Sequence, residues 1–327
     1  MRSNQDQSWL AAAARLAGRA RPLSRPNPAV GALIVKEGRV VGRGWTQAGG
    51  RPHAEATALD QAGAAAAGAT LYVTLEPCAH ASARGPACAD LVANSQLARV
   101  VIGCADPDPR TAGAGLARIR ATGVEAEAAA SPACDASLQG YLIRHRHGRP
   151  HVTLKLATSL DGCIAMADGT SRWITGEAAR AHTHVERARC DAILVGGGTL
   201  RVDSPRLDVR LPGLAERSPE RWVLTRHEVP PGWRQLPSPQ AISDMAGVQY
   251  LFAEGGAETA ASFLSADLVD RLLLYRAPIL IGTGRRALGD IGLRSIADAH
   301  GRWGLAERRQ LGSDLLEVYE RAPCSPE

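Results

Sequence analysis

The stretch of sequence that decides the fold begins with His53-Ala-Glu55, continues through Thr74-Leu-Glu-Pro-Cys78 and ends with Pro86-Ala-Cys88. The histidine motif opens an alanine-rich segment that predicts a helix, and Cys78 follows an apolar run that predicts a strand. One histidine and two cysteines supply the nitrogen and sulfur ligands that zinc prefers in proteins. The spacing therefore predicts a zinc site in the first half of the chain.

Three protein ligands leave the fourth position of a tetrahedral zinc ion open for water, as in catalytic sites. Zinc lowers the pKa of that water towards about 7, and a carboxylate beside it can move its proton to a departing amine. Glu55 is placed for this role, and the order of the motifs is the signature of zinc-dependent nucleobase deaminases. Two alternatives remain, namely a closed zinc site with His80 as fourth ligand and two core cysteines without metal.

Short β-rich runs alternate with alanine-rich helical runs on both sides of this stretch, which predicts layered α/β structure. In the first half, strands are predicted over 29–35, 39–45, 70–75 and 99–103, and helices over 55–66, 89–98 and 114–121. In the second half, a helix is predicted over 257–264 and strands over 152–157, 192–195, 222–225, 249–252, 272–275 and 315–319. The proline-rich stretch 211–239 is predicted to form loops around one short strand.

The length of 327 residues favours two domains, because single cores seldom grow beyond about 250 to 300 residues. The stretch 144–151 is polar, contains Gly148 and Pro150 and lacks hydrophobic periodicity, so it is predicted to be the linker. We therefore predict one domain over residues 1–147 and a second over residues 148–327.

Composition excludes several classes of protein. With 45% hydrophobic and 22% charged residues the chain is expected to be globular, and no run reaches the roughly 18 uncharged apolar residues of a membrane span. The 38 basic and 33 acidic residues are spread along the sequence, whereas a nucleic-acid-binding surface needs clustered basic residues. Seven cysteines form an odd set, and no secretory signal is found, so a reducing, cytoplasmic location is expected.

The length of the insert between Cys78 and Cys88 narrows the class of zinc-dependent deaminase to which the first half can belong. Residues 79–87 separate Cys78 from Cys88, whereas ordinary cytidine, guanine and tRNA-adenosine deaminases have two residues there. With Arg25-Pro-Asn-Pro28 and Asp106-Pro-Asp-Pro109, the first half resembles the deaminase half of the bifunctional riboflavin-biosynthesis deaminase/reductase family. The second half resembles the family's reductase domain, in order, through Lys155-Leu-Ala-Thr-Ser-Leu-Asp-Gly162, Ser171-Arg-Trp-Ile-Thr175, Arg187-Ala-Arg-Cys-Asp-Ala-Ile193, Gly198-Thr199, Asp203-Ser-Pro205 and Glu254-Gly-Gly256.

This resemblance implies a cytidine-deaminase-like three-layer domain followed by a dihydrofolate-reductase-like domain. It implies that zinc hydroxide deaminates 2,5-diamino-6-(5-phosphoribosylamino)pyrimidin-4-one and that NADPH then reduces the ribosyl group of the product to ribityl. The implied partners are about one zinc ion per chain, NADPH and a phosphorylated pyrimidine, with no nucleic acid and no membrane. A homo-oligomer is also expected.

The resemblance assigns roles residue by residue. In the deaminase half it implies zinc ligands His53, Cys78 and Cys88, proton transfer by Glu55, and substrate contacts from Asn27, His80, Arg84 and Asp106. In the reductase half it implies NADPH contacts from Ala157, Trp173, Thr199, Asp203, Arg226, Gly256, Ala257, Glu258, Thr259, Ala260, Ala261 and Ser262. The phosphoribosyl substrate is expected to contact Ser171, Arg187, Leu207, Arg210 and Glu254. The chain departs from the family's usual pattern at Arg25, Ala87 and Asp108, and its insert between Cys78 and Cys88 is one residue longer than usual.

Lys155 is the predicted catalytic residue of the reductase half. Only Lys36 and Lys155 are lysines among the 38 basic residues, so a lysine kept here indicates a need for a compact, rotatable donor. The alternative is a surface lysine on a strand at the edge of a sheet. Arg226, at the end of a predicted strand, suits the 2′-phosphate of NADPH, and its alternative is an exposed loop arginine.

Glycines follow two predicted strands, at Gly196 and at Gly255. They indicate either tight turns or backbone that approaches a phosphate closely. Two further functions stay open at this stage: a nucleic-acid deaminase, and a deaminase fused to a reductase-like domain that only binds ligand.

Overall fold

The computed structural model describes residues 2–80 and 82–322, so Cys324 lies outside the described residues. The chain divides into two compact units, one on each side of the peptide bond between Gly148 and Arg149. Each unit is a layered α/β structure built around its own sheet.

The first unit contains five helices and five strands among its described residues. The helices are α1 (Arg2–Ala17), α2 (Ala54–Ala62), α3 (Cys88–Ala93), α4 (Ala114–Arg120) and α5 (Pro132–His147). The strands are β1 (Gly31–Lys36), β2 (Arg39–Trp45), β3 (Thr70–Val73), β4 (Arg99–Ile102) and β5 (Glu125–Ala128). The sheet order is β2-β1-β3-β4-β5, with β1 antiparallel to both neighbours and β3, β4 and β5 parallel.

Two glycines show that helices cover both faces of this sheet. A Cβ atom on Gly31 would lie 2.1 Å from the carbonyl oxygen of Ala13 in α1, and one on Gly44 would lie 2.0 Å from that of Ala54 in α2. Gly44 pairs with Ala32, the residue after Gly31. Because successive strand residues point to opposite faces, α1 and α2 lie on opposite faces of the sheet. This arrangement matches the predicted three-layer domain.

Most of the predicted linker 144–151 is regular structure, because helix α5 continues through His147 and a strand begins at His151. Its first turn holds Pro132, which suits a helix start, and Gly148 ends it in the left-handed region with φ of 68°. Leu138 and Leu142 are buried in the core of the first unit, so the helix is stabilised by packing. The polar residues near its end occupy the last turns, where the absence of an apolar pattern concealed the helix.

The second unit holds an eight-stranded sheet. Its helices are α6 (Glu177–Arg187), α7 (Gly197–Asp203) and α8 (Ala257–Ser265). Its strands are β6 (His151–Thr158), β7 (Cys163–Ala165), β8 (Ala192–Gly196), β9 (Glu220–Leu224), β10 (Arg234–Leu236), β11 (Tyr250–Ala253), β12 (Arg271–Arg276), β13 (Arg285–Arg286), β14 (Trp303–Leu311) and β15 (Asp314–Arg321). The order β10-β9-β8-β11-β6-β12-β15-β14 forms the large sheet, and β7 pairs with β13.

The six strands from β10 to β12 in that order are parallel, so their carboxyl ends share one edge of the sheet. Ligands bind at this edge in open α/β sheets. Strand β6 lies between β11 and β12, so Lys155 is not on an edge strand. The stretch 211–239 contains two strands, β9 and β10, where one was predicted.

Within the described residues, no helix is both long enough and apolar enough to cross a membrane.

Candidate active sites

Three predicted metal ligands come together in the first unit. Nδ1 of His53 lies 3.6 Å from Sγ of Cys78 and 3.3 Å from Sγ of Cys88. His53 immediately precedes α2, Cys78 lies beyond the carboxyl end of β3, and Cys88 opens α3. The starts of α2 and α3 and the end of β3 thus place one ligand each at the same site.

These distances fit a tetrahedral zinc ion. Zinc–sulfur bonds of about 2.3 Å and zinc–nitrogen bonds of about 2.0 Å place sulfur and nitrogen about 3.5 Å apart at the tetrahedral angle. Among the described residues, the group of converging ligands consists of these three side chains alone. His80 is not one of them, and its Nδ1 lies 3.5 Å from the hydroxyl of Thr111 instead. The geometry therefore favours a site with one open position over the closed alternative.

Glu55 lies in the first turn of α2 and is buried, with 3% of its surface exposed. Burial raises the pKa of its carboxyl group, and the nearby charge of His53 opposes the shift. A carboxyl group with a raised pKa can accept and return a proton near neutral pH. It faces the same cavity as His53 and Cys78.

A cavity of about 350 Å³ contains this group of side chains. The predicted residues that line it are Asn27, His53, Glu55, Cys78, His80, Arg84 and Asp106. Residues that the sequence analysis left unassigned also line it, namely Arg51, Glu76, Asp108, Arg110, Tyr141 and His145. Tyr141 and His145 come from α5, a helix that was not among the predicted elements.

Two of the predicted contacts also hold the backbone of the site. Nδ2 of Asn27 lies 3.2 Å from Nε2 of His53 and donates to the carbonyl oxygen of Gly50 at 3.2 Å. The guanidinium of Arg84 donates to the carbonyl oxygen of Gly49 at 2.6 Å. Both contacts fix the loop that precedes α2 and carries His53.

Glu76 has a structural role in this cavity. Its carboxylate accepts hydrogen bonds from the backbone N–H of Gly113 and of Leu116, each at 3.0 Å. A carboxylate at this position satisfies free N–H groups at the start of α4. Glu76 thereby ties the loop after β3 to the segment that follows Asp106.

In the second unit a cavity of about 620 Å³ lies at the carboxyl ends of the parallel strands. The predicted residues that line it are Lys155, Ala157, Ser171, Trp173, Arg187, Thr199, Asp203, Arg210, Glu254 and Gly256. Helix α6 adds Glu177, Arg180 and His184, which were not predicted. Their spacing with Arg187 repeats every three or four residues, which is the signal for one helix face.

Arg187 and Glu254 form a buried pair in this cavity. Nε and Nη2 of Arg187 donate to the two carboxylate oxygens of Glu254 at 2.6 and 2.9 Å. The charges of this pair act on Lys155. Burial lowers the pKa of the Lys155 ammonium, and the Glu254 carboxylate opposes that shift. A lysine with a lowered pKa is suited to proton donation.

Gly196 at the end of β8 and Gly255 after β11 leave space for a side chain of α8. A Cβ atom on Gly196 would lie 2.3 Å from Oγ1 of Thr259, and one on Gly255 would lie 2.3 Å from its Cβ atom. Thr259, Ala260 and Ala261 of α8 are buried against these strands. Close packing of α8 therefore accounts for both glycines.

Other predicted residues lie outside the large cavity. Within the described residues, its lining does not include Leu207, Arg226 or residues 257–262. Leu207 is buried in the core, and Arg226 is exposed beyond the end of β9. A separate cavity of about 500 Å³ at the end of β9 is lined by Gly197, Arg201 and Thr225, among others.

Comparison with known proteins finds relatives for both halves of the chain. Residues 3–104 match the zinc-binding region of cytidine and deoxycytidylate deaminases, and residues 150–243 and 240–316 match the RibD C-terminal domain. The riboflavin biosynthesis protein RibD of Mycobacterium tuberculosis is 40% identical over 311 residues, which cover 89% of this chain and 90% of that protein. The chain belongs to the RibD family.

Further RibD proteins extend the match to nearly the whole chain. RibD of Escherichia coli is 36% identical and covers 95% of this chain and 98% of its own length. The structure of Acinetobacter baumannii RibD has a TM-score of 0.85 at 34% identity, over 98% of this chain and 100% of that one. A Thermotoga maritima diaminohydroxyphosphoribosylaminopyrimidine deaminase/5-amino-6-(5-phosphoribosylamino)uracil reductase has a TM-score of 0.86 at 28% identity, over 98% and 100% of the two chains.

As a member of the RibD family, the chain is a bifunctional deaminase and reductase of riboflavin biosynthesis. The predicted fold class is confirmed for both halves. The alternatives of a nucleic-acid deaminase and of a reductase-like domain without chemistry are thereby removed.

One departure from the usual RibD residues is compensated locally. Asp108 stands in the Asp106-Pro-Asp-Pro109 turn, and Nε of Arg110 donates to both of its oxygens at 3.0 Å. This pair lowers the pKa of Asp108 to about 2. The additional negative charge at the cavity therefore has its own counter-ion.

Proposed function

We propose that the first cavity hydrolyses the 2-amino group of 2,5-diamino-6-(5-phosphoribosylamino)pyrimidin-4-one and releases ammonia. The observation that carries this proposal is the convergence of His53, Cys78 and Cys88 beside the buried Glu55. The name of the Thermotoga relative, a diaminohydroxyphosphoribosylaminopyrimidine deaminase, supports the choice of substrate. His53, Cys78 and Cys88 would hold a zinc ion, which would lower the pKa of the attacking water.

Glu55 moves the proton in this reaction. It takes a proton from the attacking water and delivers it to the amino group as that group leaves, so that ammonia departs neutral. Burial keeps the carboxyl group away from bulk water, which allows the proton to be retained between the two events. Asn27, His80 and Asp106 bind the pyrimidine from the surrounding wall.

The second cavity binds NADPH and the deaminated phosphoribosylamino-uracil. NADPH supplies the hydride when it is bound. Trp173, which is 68% exposed, offers an aromatic face for the nicotinamide, and Thr199 and Asp203 lie on the same wall. The ammonium of Lys155 donates the proton that accompanies reduction of the ribosyl group to ribityl.

Arg187 positions the substrate in this cavity. Arg187 is held by Glu254 and also donates to the carbonyl oxygen of Asp208 at 3.2 Å. A rigid guanidinium suits recognition of a sugar phosphate. Ser171 and Arg210 lie on the same wall and complete the substrate site.

We also propose that the enzyme works in the cytoplasm as a homo-oligomer. The six cysteines within the described residues are buried and free, as expected in a reducing compartment. Light scattering on the purified protein tests the oligomer: a mass equal to one chain of 34.4 kDa would contradict it.

The whole reaction sequence is tested by incubating the zinc-loaded protein with the diaminopyrimidine phosphate and NADPH. Mass spectrometry should show replacement of NH₂ by OH, followed by a gain of two hydrogens. Without NADPH, only the first change is expected. Reduction of the substrate with its amino group intact would contradict the proposed order.

A further inference from the structure

Among residues 2–80 and 82–322, the donors to the Asp106 carboxylate all contact the same oxygen. This oxygen, Oδ1, accepts a hydrogen bond from the hydroxyl of Tyr141 at 2.7 Å and another from the backbone N–H of Asp108 at 3.0 Å. Within the described residues, no donor contacts its Oδ2. Because Asp106 lines the deaminase cavity, this second oxygen is left for a ligand.

Tyr141 is held firmly in α5. The side chain is 7% exposed, and its ring lies 4.4 Å from the ring of His145, one helical turn further on. Burial and the nearby Asp106 carboxylate raise the pKa of the Tyr141 hydroxyl, so the phenol keeps its proton and acts as a donor. Both rings line the same cavity as Glu55.

We propose that Tyr141 is a positioning residue for deamination, which holds Asp106 so that Oδ2 points at the pyrimidine and accepts a hydrogen bond from it. The proposal rests on the function proposed above for the first cavity. It adds a specificity element from α5, a helix outside the motifs that carry zinc and Glu55.

The physical reason lies in the freedom of an aspartate side chain. The terminal torsion of Asp is broad and roughly two-fold, so a single donor leaves the carboxylate able to turn. Two donors on the same oxygen remove that freedom before the substrate binds. Burial raises the pKa of Asp106, while the bonds from Asp108 and Tyr141 oppose the shift and favour the acceptor form.

The experiment compares the full-length protein with Tyr141→Phe. This change keeps the ring and its packing and removes only the hydroxyl. We expect KM for deamination to rise about tenfold, as for loss of roughly 1.4 kcal/mol of binding, with kcat within about twofold. Zinc content and the rate of NADPH-dependent reduction of the deaminated substrate should stay at wild-type values, which shows that the protein is folded.

The matched control is Arg146→Ala, an exposed position in the last turn of the same helix. This variant should leave KM and kcat unchanged. An unchanged KM in Tyr141→Phe would overturn the proposal, as would an equal rise of KM in the control.

A double-mutant cycle with Asp106→Ala separates the proposal from the function on which it rests. In the Asp106→Ala background, Tyr141→Phe should have no further effect on KM, because its partner is gone. If Asp106→Ala weakens substrate binding and Tyr141→Phe alone does not, only the positioning role fails. If Asp106→Ala binds substrate normally, the proposed pyrimidine contact fails as well.

Discussion

At the scale of the residue, the proposed function assigns metal binding and proton transfer in the deaminase cavity to different side chains. Cys88→Ser replaces a soft thiolate with a hydroxyl, so zinc and deamination should be lost together. Glu55→Gln should keep zinc and reduce ammonia release by roughly 10² to 10⁴. In each variant, metal analysis measures the zinc content and an ammonia assay measures deamination. Full zinc in Cys88→Ser would remove the ligand assignment, and a normal rate in Glu55→Gln would make that residue structural.

Lys155 allows a comparison between the two lysines of the chain. Lys155→Met should lower kcat for reduction by about 10² to 10⁴, because the proton donor is gone. The control is Lys36→Met in the other unit, where the ammonium donates to the carbonyl oxygen of Ala67 at 2.8 Å. That variant should reduce substrate at the normal rate.

The lowered pKa of Lys155 predicts the pH dependence of reduction. The protonated ammonium is the active form, so kcat should fall as pH rises through its pKa, which burial places below the usual value for lysine. Glu254 raises this pKa, so Glu254→Gln should move the falling limb to lower pH. The rate of NADPH oxidation is measured across pH for both proteins. If the falling limb of Glu254→Gln lies at the same pH as that of the wild type, another group titrates.

The predicted role of Arg226 in cofactor choice can be decided by binding measurements. Arg226→Ala should weaken NADPH about tenfold or more and leave NADH nearly unchanged, because a charged hydrogen bond to the 2′-phosphate contributes roughly 1.5 to 3 kcal/mol. Arg201 lines the cavity at the end of β9 and serves as the comparison. If Arg201→Ala shows the selective loss and Arg226→Ala does not, the 2′-phosphate is held from α7.

At the scale of the element, the position of α2 depends on the glycine at residue 44. Gly44→Ala would bring a Cβ atom to 2.0 Å from the carbonyl oxygen of Ala54, so α2 must shift together with His53 and Glu55. Overpacking of this kind costs about 1 to 3 kcal/mol. Deamination should fall while reduction is kept.

Gly304→Ala is the matched control for this change, because an added Cβ atom there meets nothing within 4 Å. It should leave both activities unchanged. Normal deamination in Gly44→Ala would show that α2 tolerates the displacement.

At the scale of the whole molecule, the two units each have their own sheet and core, which predicts separate folding. Residues 149–327, expressed alone, should be soluble and should reduce the deaminated substrate without zinc. Circular dichroism and NADPH oxidation check this. An insoluble fragment from a soluble full-length protein would mean that the units depend on each other for folding.

The sequence alone predicted which side chains meet in the first cavity. Residue type and spacing predicted the three zinc ligands and Glu55 as one group, because His53, Cys78 and Cys88 each stand at a helix start or beyond a strand end. The apolar runs also predicted strands β1 to β4, β6, β8, β9, β11, β12 and β15. These patterns are local in the sequence, so they can be recognised without knowing which elements pack against them.

Tertiary structure decided what depends on distant partners. The role of Tyr141 requires the contact between α5 and the loop after β4, which lies 35 residues away in sequence. In the sequence, Gly196 and Gly255 could belong to phosphate-binding turns. The packing of Thr259 against both shows that a larger residue would not fit there. Such features arise from the approach of separate elements, and a single sequence carries no local pattern for that approach.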